Sequence, residues 1–163
     1  MPDLLVPLYA LPALAPPLEA ATQRGIEIRR ALVPEQPVVT AWVRGQFSEA
    51  WAAEAAVAFA RQPVACFLAV QGSRLLGFCA YEVTCRGFLG PLGVAPEARG
   101  SGVGAALLLS GLHAMFAEGY AYAIIGGAGP TAFFERVAGA RVIEGSNPGI
   151  YRGLLRTNPP ANP

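Results

Sequence analysis

A glycine-rich segment between a strand pattern and a helix pattern constrains the fold of this chain more than any other feature of its sequence. Residues 88–94, FLGPLGV, are apolar and strand-like, and an apolar pattern with helical spacing begins at Gly102. Glycine occupies every second position here, at Gly100, Gly102 and Gly104. Such glycines expose backbone N–H groups at the start of a helix, where the helix dipole adds partial positive charge. The segment therefore predicts a binding site for an anion such as a phosphate.

The other patterns in the sequence predict an α+β fold with a mixed, mostly antiparallel sheet and flanking helices. Two apolar strands, residues 64–70 and 75–83, flank the polar connection QGSR, which is typical of a hairpin. The proline and glycines inside residues 88–94 predict an irregular strand that splays from its neighbour. Further strands are predicted at residues 26–32, 121–126, 140–145 and 149–155, and helices are predicted after Pro34 and over residues 102–118 and 130–137.

Composition and charge limit the classes of protein to which this chain can belong and the kinds of binding partner it can have. The chain has 163 residues, of which 53% are hydrophobic, and this suits one domain with a substantial core. Its net charge is +1 and its 12 basic residues, all arginines, are scattered, so no nucleic-acid partner is expected. The single histidine has no metal-ligating neighbours, so no metal site is predicted. The three cysteines lie among apolar residues, as buried thiols do in a reducing cytosol, and a cytoplasmic location is expected.

The two ends of the sequence differ from its middle. Residues 1–25 are apolar but carry 5 prolines, which cannot continue a helical targeting segment, and we interpret them as an extended arm. Whether this arm covers its own chain or contacts a second subunit in a homodimer stays open. Residues 26–156 are predicted to form the functional domain and residues 157–163 a disordered tail. No stretch reaches the roughly 18 apolar residues that span a bilayer, so no membrane partner is expected.

Several interpretations of the glycine-rich segment compete. A P-loop requires a lysine after its last glycine, and the chain contains no lysine. Gly100, Gly102 and Ala105 formally satisfy a dinucleotide fingerprint, but residues 95–99 separate the strand from the first glycine and the chain has no repeated βαβ units. A glycine-rich helix start without a ligand is disfavoured, because glycine costs up to about 1 kcal/mol at each helical position.

The remaining interpretation is a resemblance to a known family. Residues 99–104, RGSGVG, match the R/Q-x-x-G-x-G/A signature of the GCN5-related N-acetyltransferases, and the spacing of Val94, Pro96 and Arg99 matches what precedes it. The resemblance covers roughly residues 26–155. It implies that acetyl-coenzyme A is the co-substrate, that its pyrophosphate binds the loop, and that its pantetheine arm runs along backbone where the family's fourth and fifth strands splay. The residues implied at this site are Leu92, Gly93, Val94, Arg99, Gly100, Ser101, Gly102, Val103, Gly104 and Phe134.

Acyl transfer to an amine requires groups that accept a proton and stabilise charge. An alkyl amine with a pKa of about 10 must lose a proton before it attacks. Glu82 in an apolar strand and Glu54 on the preceding helix are candidate bases, with surface solvation as the competing explanation for Glu54. The backbone N–H of Val94 is the implied donor to the developing oxyanion.

The helix after the family's fifth strand departs from the family pattern. A Gly-Pro pair replaces the usual asparagine, and Phe134 stands where many members have a tyrosine that protonates the departing thiolate. Tyr151, Tyr120 and Tyr122 are substitute proton donors by type, and packing in the sheet is the alternative for each.

The resemblance implies an N-acyltransferase that moves an acetyl group directly from the thioester to an amine. The acceptor, a small molecule or a peptide, is expected to contact residues 42–60 and 144–151. Two alternatives stay open. One is a non-catalytic domain that binds acyl-coenzyme A as a sensor or interaction module, and the other, more remote, is an enzyme that transfers hydride with a dinucleotide.

Overall fold

The computed structural model describes residues 1–155, which form one mixed sheet flanked by helices. The strands are β1 (Leu4–Pro7), β2 (Glu27–Arg30), β3 (Cys66–Gln71), β4 (Arg74–Tyr81), β5 (Phe88–Val94), β6 (Tyr122–Ile125) and β7 (Arg141–Val142). The helices are α1 (Ala15–Gln23), α2 (Gln36–Gln46), α3 (Glu49–Ala58), α4 (Val103–Ala117) and α5 (Thr131–Ala138). The strand order is β2-β3-β4-β5-β6-β1-β7, and the predicted α+β class is confirmed.

The two faces of the sheet are covered by different helices. On one face α4 packs closely, because a Cβ atom placed on Gly77 of β4 would lie 2.9 Å from Leu107. On the other face Trp42 of α2 and Trp51 of α3 pack against Phe78 of β4. Gly77 and Phe78 are neighbours on one strand, so their side-chain positions point to opposite faces. Within residues 1–155, no helix is long and apolar enough to cross a bilayer.

The centre of the sheet contains its parallel pair. β5 and β6 run in the same direction, joined by the crossover through α4, whereas the other pairs among the described strands are antiparallel. The parallel pairing is short, because it joins only Phe88 to Ile124 and Leu89 to Ile125. The remaining length of β5 is therefore paired on one side only, with β4.

A β-bulge in the β4–β5 pair explains why β5 diverges from β6. Tyr81 of β4 lies opposite Leu89, but Cys79 lies opposite Leu92, so the intervening Ala80 faces two residues of β5. The extra residue falls at Gly90-Pro91, and a bulged strand bends and twists more strongly than a regular one. The splayed strand predicted from FLGPLGV is confirmed by this register.

The N-terminal residues differ from the predicted extended arm. β1 lies inside the sheet between β6 and β7, and its Leu4 and Val6 are fully buried. The prolines are compatible with this structure because of where they lie. Pro7 ends the strand, and Pro16 and Pro17 lie in the first turn of α1, where a missing N–H costs no hydrogen bond.

The C-terminal residues also differ from prediction. The strand predicted over residues 149–155 is wrong, because Gly149–Tyr151 forms a short 3-10 helix. Gly149 and Gly153 have φ of +58° and +73°, a left-handed conformation that interrupts a strand. The strand predicted over residues 140–145 is reduced to β7. The predicted tail, residues 157–163, lies outside the described residues.

Candidate active site

The opening between β5 and β6 exposes backbone groups of β5. The Ala95 N–H donates to the Leu76 carbonyl at 2.8 Å, which makes these two residues a hydrogen-bonded pair of the β4–β5 ladder. Because hydrogen-bonded and non-hydrogen-bonded pairs alternate in an antiparallel ladder, Val94 and Leu92 direct their N–H and C=O groups away from β4. The outward backbone groups of Leu92 and Val94 therefore face the opening.

Arg99 marks the loop end of this exposed edge. Its Nε donates to the Val94 carbonyl at 3.2 Å, which is consistent with a carbonyl directed away from β4. The Arg99 side chain is otherwise exposed to solvent. A cationic group thus lies between the open strand edge and the glycine-rich loop.

The glycine-rich loop presents a row of free donors at the start of α4. Among the described residues, the backbone N–H groups of residues 100–105 donate to no protein acceptor. Gly100 and Gly102 have φ of +74° and +88°, which L side chains rarely adopt, so glycine is needed at both positions. Gly102 is the N-cap residue of the helix, and the first turn of α4 carries no acidic side chain. This arrangement has the properties of an anion site.

The first turn of α4, strand β5 and helix α5 meet beside this loop. A Cβ atom on Gly104 would lie 3.4 Å from the Phe133 ring and 3.6 Å from Cγ2 of Val94. Phe134, predicted at the site, is 6% exposed and packs edge to face against Phe133 with ring centroids 5.1 Å apart. Phe133 is thus the aromatic side chain beside the loop. Sequence reasoning named Phe134 instead, because the family pattern places a tyrosine there, and no local feature marked Phe133 as the ring beside the loop.

Glu82, predicted as a base, lies at the paired end of β5 and β6. One carboxylate oxygen accepts from the Gly87 N–H and the other from the Tyr120 hydroxyl, the latter at 2.7 Å. The side chain is 6% exposed, and Nη1 of Arg61 lies 3.8 Å away. These partners lie before β5 and β6 begin to pair, whereas the opening starts after Leu89. The arrangement does not support Glu82 as a proton acceptor in the opening.

Tyr151 lies where β6 ends and the opening begins. A Cβ atom on Gly126 would lie 2.6 Å from the Tyr151 hydroxyl oxygen and 3.0 Å from the Phe88 ring. Leu89 contacts Gly111 of α4, so the adjacent Phe88 points to the opposite face, the one covered by α2 and α3. Burial raises the pKa of Tyr151 above its ordinary value, and the negative charges of nearby groups add to this effect. The hydroxyl therefore remains protonated at neutral pH.

The other candidate proton donors lie elsewhere. Tyr120 donates to Glu82, and Tyr122 lies in an exposed edge-to-face pair with Tyr9, with the two hydroxyl oxygens 3.4 Å apart. Of the tyrosines proposed from the sequence, Tyr151 is thus the one at the opening. Glu54 is also on this face, where it accepts a hydrogen bond from the Thr84 hydroxyl at 2.6 Å.

Aromatic side chains cover β5 next to the opening, on the same face as Tyr151. The Phe47 ring lies so close to β5 that a Cβ atom on Gly93 would be 2.5 Å from it. Trp51 and Trp42 pack around Phe47 with ring centroids 5.0 and 5.7 Å away. All three rings also contact Phe78 of β4 and remain partly exposed. We refer to Trp42, Phe47 and Trp51 as the aromatic cluster.

Comparison with known sequences identifies one family. The profile of the acetyltransferase (GNAT) family matches residues 28–139, which include the hairpin, the splayed strand, the glycine-rich loop and α5. No curated protein matches the chain.

Solved structures share the fold at low sequence identity. A glucosamine N-acetyltransferase region of a fungal multi-domain β-N-acetylglucosaminidase is 14% identical, with a TM-score of 0.71 over 87% of this chain and 19% of that chain. A GCN5-related N-acetyltransferase from Sphaerobacter thermophilus is 20% identical, with a TM-score of 0.64 over 87% of this chain and 48% of that one. One from Kribbella flavida is 15% identical, with a TM-score of 0.56 and coverage of 86% and 53%. The chain thus spans about half or less of the length of these proteins.

Proposed function

The chain belongs to the acetyltransferase (GNAT) family, and on that premise we propose that it transfers an acetyl group from acetyl-coenzyme A to an amine. The observation that carries this proposal is the row of unpartnered N–H groups of residues 100–105 beside the free edge of β5. The two features adjoin, because a Cβ atom on Gly104 in the first turn of α4 would lie 3.6 Å from Cγ2 of Val94. Such adjoining groups suit a ligand with a pyrophosphate at one end and an amide-containing arm next to it.

The chain's own residues account for binding of the donor in this proposal. The N–H groups of residues 100–105 bind the pyrophosphate, with support from the positive end of the α4 dipole and from Arg99. The outward C=O of Leu92 and one outward N–H of this edge, from Leu92 or Val94, pair with the amides of the pantetheine arm, as a neighbouring strand would, while Arg99 occupies the Val94 carbonyl. Phe133 lines the groove at the first turn of α4.

The transfer step requires little covalent chemistry from the protein. The nitrogen of the neutral amine forms a bond to the thioester carbon, the carbon–sulfur bond then breaks, and the thiolate leaves. The nitrogen releases one proton to solvent, and the sulfur takes up one proton, so the products are the amide and the free thiol. An outward N–H of the open strand, from Val94 or Leu92, stabilises the oxyanion that forms in between. A thiol with a pKa of about 8.5 is a tolerable leaving group even without a general acid, so Phe134 in place of a tyrosine does not abolish the reaction.

We assign Tyr151 as the proton donor to the departing sulfur. Its hydroxyl lies beside Gly126, where β5 and β6 begin to part, and we call this position the mouth of the opening. Its raised pKa keeps the hydroxyl protonated at neutral pH. A positioned general acid contributes about 10²–10⁴ in rate, most where the leaving group is poorly stabilised.

A chromatographic assay tests the proposal. The protein is incubated with acetyl-coenzyme A and a panel of amines, and coenzyme A and acetylated amine are quantified; we expect the two in equal amounts. Binding of acetyl-coenzyme A without product would favour the non-catalytic sensor, and absence of binding would refute both. Chromatography is preferable to a thiol reagent, because Cys85 is an exposed free thiol that would react as well.

A further inference from the structure

We infer that the acceptor is a primary amine with an apolar body, aromatic or alkyl, and with no carboxylate of its own. This inference rests on the proposed function. Two groups of side chains on the α2–α3 face of the sheet carry it: the aromatic cluster over Gly93, and the carboxylates of Glu54 and Asp3 near Tyr151.

The aromatic cluster supplies an apolar surface beside the open strand. Phe47 packs directly on the backbone of β5 at Gly93, and the two tryptophans extend the surface on either side of it. Their rings are partly exposed although they contact the core through Phe78. When an apolar ligand group covers partly exposed aromatic rings beside an opening, apolar surface is removed from water, and this favours binding of the ligand.

Glu54 lies between this surface and the connection from β4 to β5, on the face of the sheet that Tyr151 shares. It lies three residues after Trp51 on α3, so the two side chains are neighbours along one side of the helix. One of its carboxylate oxygens accepts from Thr84 in the connection between β4 and β5. The position of the carboxylate is therefore fixed next to the end of the aromatic cluster.

Asp3 adds a second carboxylate on the other side of Tyr151. Its side chain is only 6% exposed, and Oδ1 accepts from the Gly127 N–H at 2.8 Å, just after β6. Its Oδ2 would lie 3.1 Å from a Cβ atom on Gly149, in the short helix that carries Tyr151. Burial raises the pKa of Tyr151, and the negative charges of Glu54 and Asp3 raise it further.

The charges near the mouth favour a cation over an anion. Glu54 and Asp3 are partly or fully removed from solvent, where their fields are weakly screened. Arg86, two residues after Thr84, and Arg152, next to Tyr151, are exposed, and the Met1 ammonium, two residues from Asp3, donates to the Asn147 side chain at an exposed position, so water and salt screen these charges. An ammonium group is therefore attracted to the mouth while its body lies over the aromatic rings. A carboxylate on the same ligand would be repelled.

Intrinsic fluorescence provides a direct binding measurement, because both tryptophans of the chain belong to the aromatic cluster. The protein, saturated with coenzyme A, is titrated with 2-phenylethylamine, its neutral analogue 2-phenylethanol, its carboxylated analogue phenylalanine, and the polar amine glucosamine. We expect 2-phenylethylamine to bind about tenfold or more tightly than the other three compounds. The alcohol lacks the positive charge, phenylalanine carries a carboxylate that is repelled, and glucosamine lacks the apolar body. One charge contact at a partly buried site is worth about that factor.

Two matched variants test whether Glu54 is responsible. Glu54→Gln should reduce the preference for 2-phenylethylamine over 2-phenylethanol to within about threefold, because it removes the charge and keeps the shape. Glu49→Gln should leave the preference unchanged, because Glu49 lies on the same helix but pairs with Arg44 at an exposed position. An unchanged preference in Glu54→Gln would overturn the inference.

Product analysis with the same four compounds separates this inference from the proposed function. Acetylation of 2-phenylethylamine in preference to glucosamine supports both. Acetylation of glucosamine or phenylalanine in preference overturns the acceptor class and leaves acetyl transfer standing. Selective binding of 2-phenylethylamine with no coenzyme A formed from acetyl-coenzyme A supports the amine site and overturns the transferase.

Discussion

The two ends of the β5–β6 pair differ in how completely their polar groups are satisfied. At the paired end, before Phe88, the Glu82 carboxylate is engaged by Gly87 and Tyr120. At the open end, after Leu89, the outward N–H groups of β5 and those of residues 100–105 have no protein acceptor in the part of the chain that the structure describes. The open end is thus the one with unused binding capacity.

The paired end belongs to a larger polar network with a structural role. Tyr81 donates to Glu118 at 2.5 Å and accepts from Arg30 at 2.8 Å. Arg61 lies between the two carboxylates, 3.3 Å from Glu118 and 3.8 Å from Glu82. Each charge in this network is balanced by another, so a carboxylate in an apolar strand is not by itself a free base. Four substitutions test the contrast between the two ends.

The largest effect is expected at the mouth of the open end. Tyr151→Phe should slow the single-turnover rate of coenzyme A formation by up to about 10²–10⁴, the contribution of a positioned general acid. Because the pKa of Tyr151 is raised, the hydroxyl is protonated below it, so the contribution should persist through neutral pH and be lost only above the ordinary tyrosine range. An unchanged rate in a folded Tyr151→Phe protein would show that the thiolate departs without this hydroxyl.

A substitution at the paired end should affect folding and leave the chemistry intact. Glu82→Gln retains one acceptor but removes the charge that faces Arg61, so we expect the free energy of unfolding to fall by about 1–3 kcal/mol in urea titrations. The pH profile of the transfer rate should match that of the unsubstituted protein. A profile that loses its acidic limb would return Glu82 to the role of proton acceptor, because protonation of a base removes activity at low pH.

The smallest effect is expected for the exposed cation at the loop. Arg99→Ala should weaken acetyl-coenzyme A binding by about 0–1 kcal/mol, because exposed ion pairs contribute little and the backbone donors remain. Arg74→Ala is the matched control, since Arg74 is also exposed but pairs with Glu97. A loss of affinity in Arg99→Ala above tenfold would mean that the side chain, and not the backbone, dominates pyrophosphate binding.

The features that the sequence predicted correctly depend on local backbone requirements. Glycines 100 and 102 have positive φ, and the bulge at Gly90-Pro91 needs residues that tolerate an irregular ladder. Such requirements involve only a few adjacent residues, so they can be recognised in the sequence without knowing the rest of the fold.

The features that were missed depend on partners far away in the chain. β1 pairs with β6, so Leu4 lies opposite Ile125, and no local pattern reveals this contact. The partners of Glu82 include Tyr120, 38 residues away, so the sequence did not show that this carboxylate is engaged. Tyr151 was proposed by residue type alone, and its place at the opening depends on the turn of the chain through Gly149.

Calorimetry on two glycine variants tests most directly the claim that the open end binds the donor. Gly102→Val introduces a side chain among the free N–H groups at φ +88°, and Gly72→Val introduces the same side chain at φ +60° in the β3–β4 turn. Both should lose some stability through backbone strain. We predict that Gly102→Val lowers acetyl-coenzyme A affinity by well over tenfold, about 1.4 kcal/mol or more, while Gly72→Val leaves it unchanged. Equal affinities in two folded variants would contradict the account.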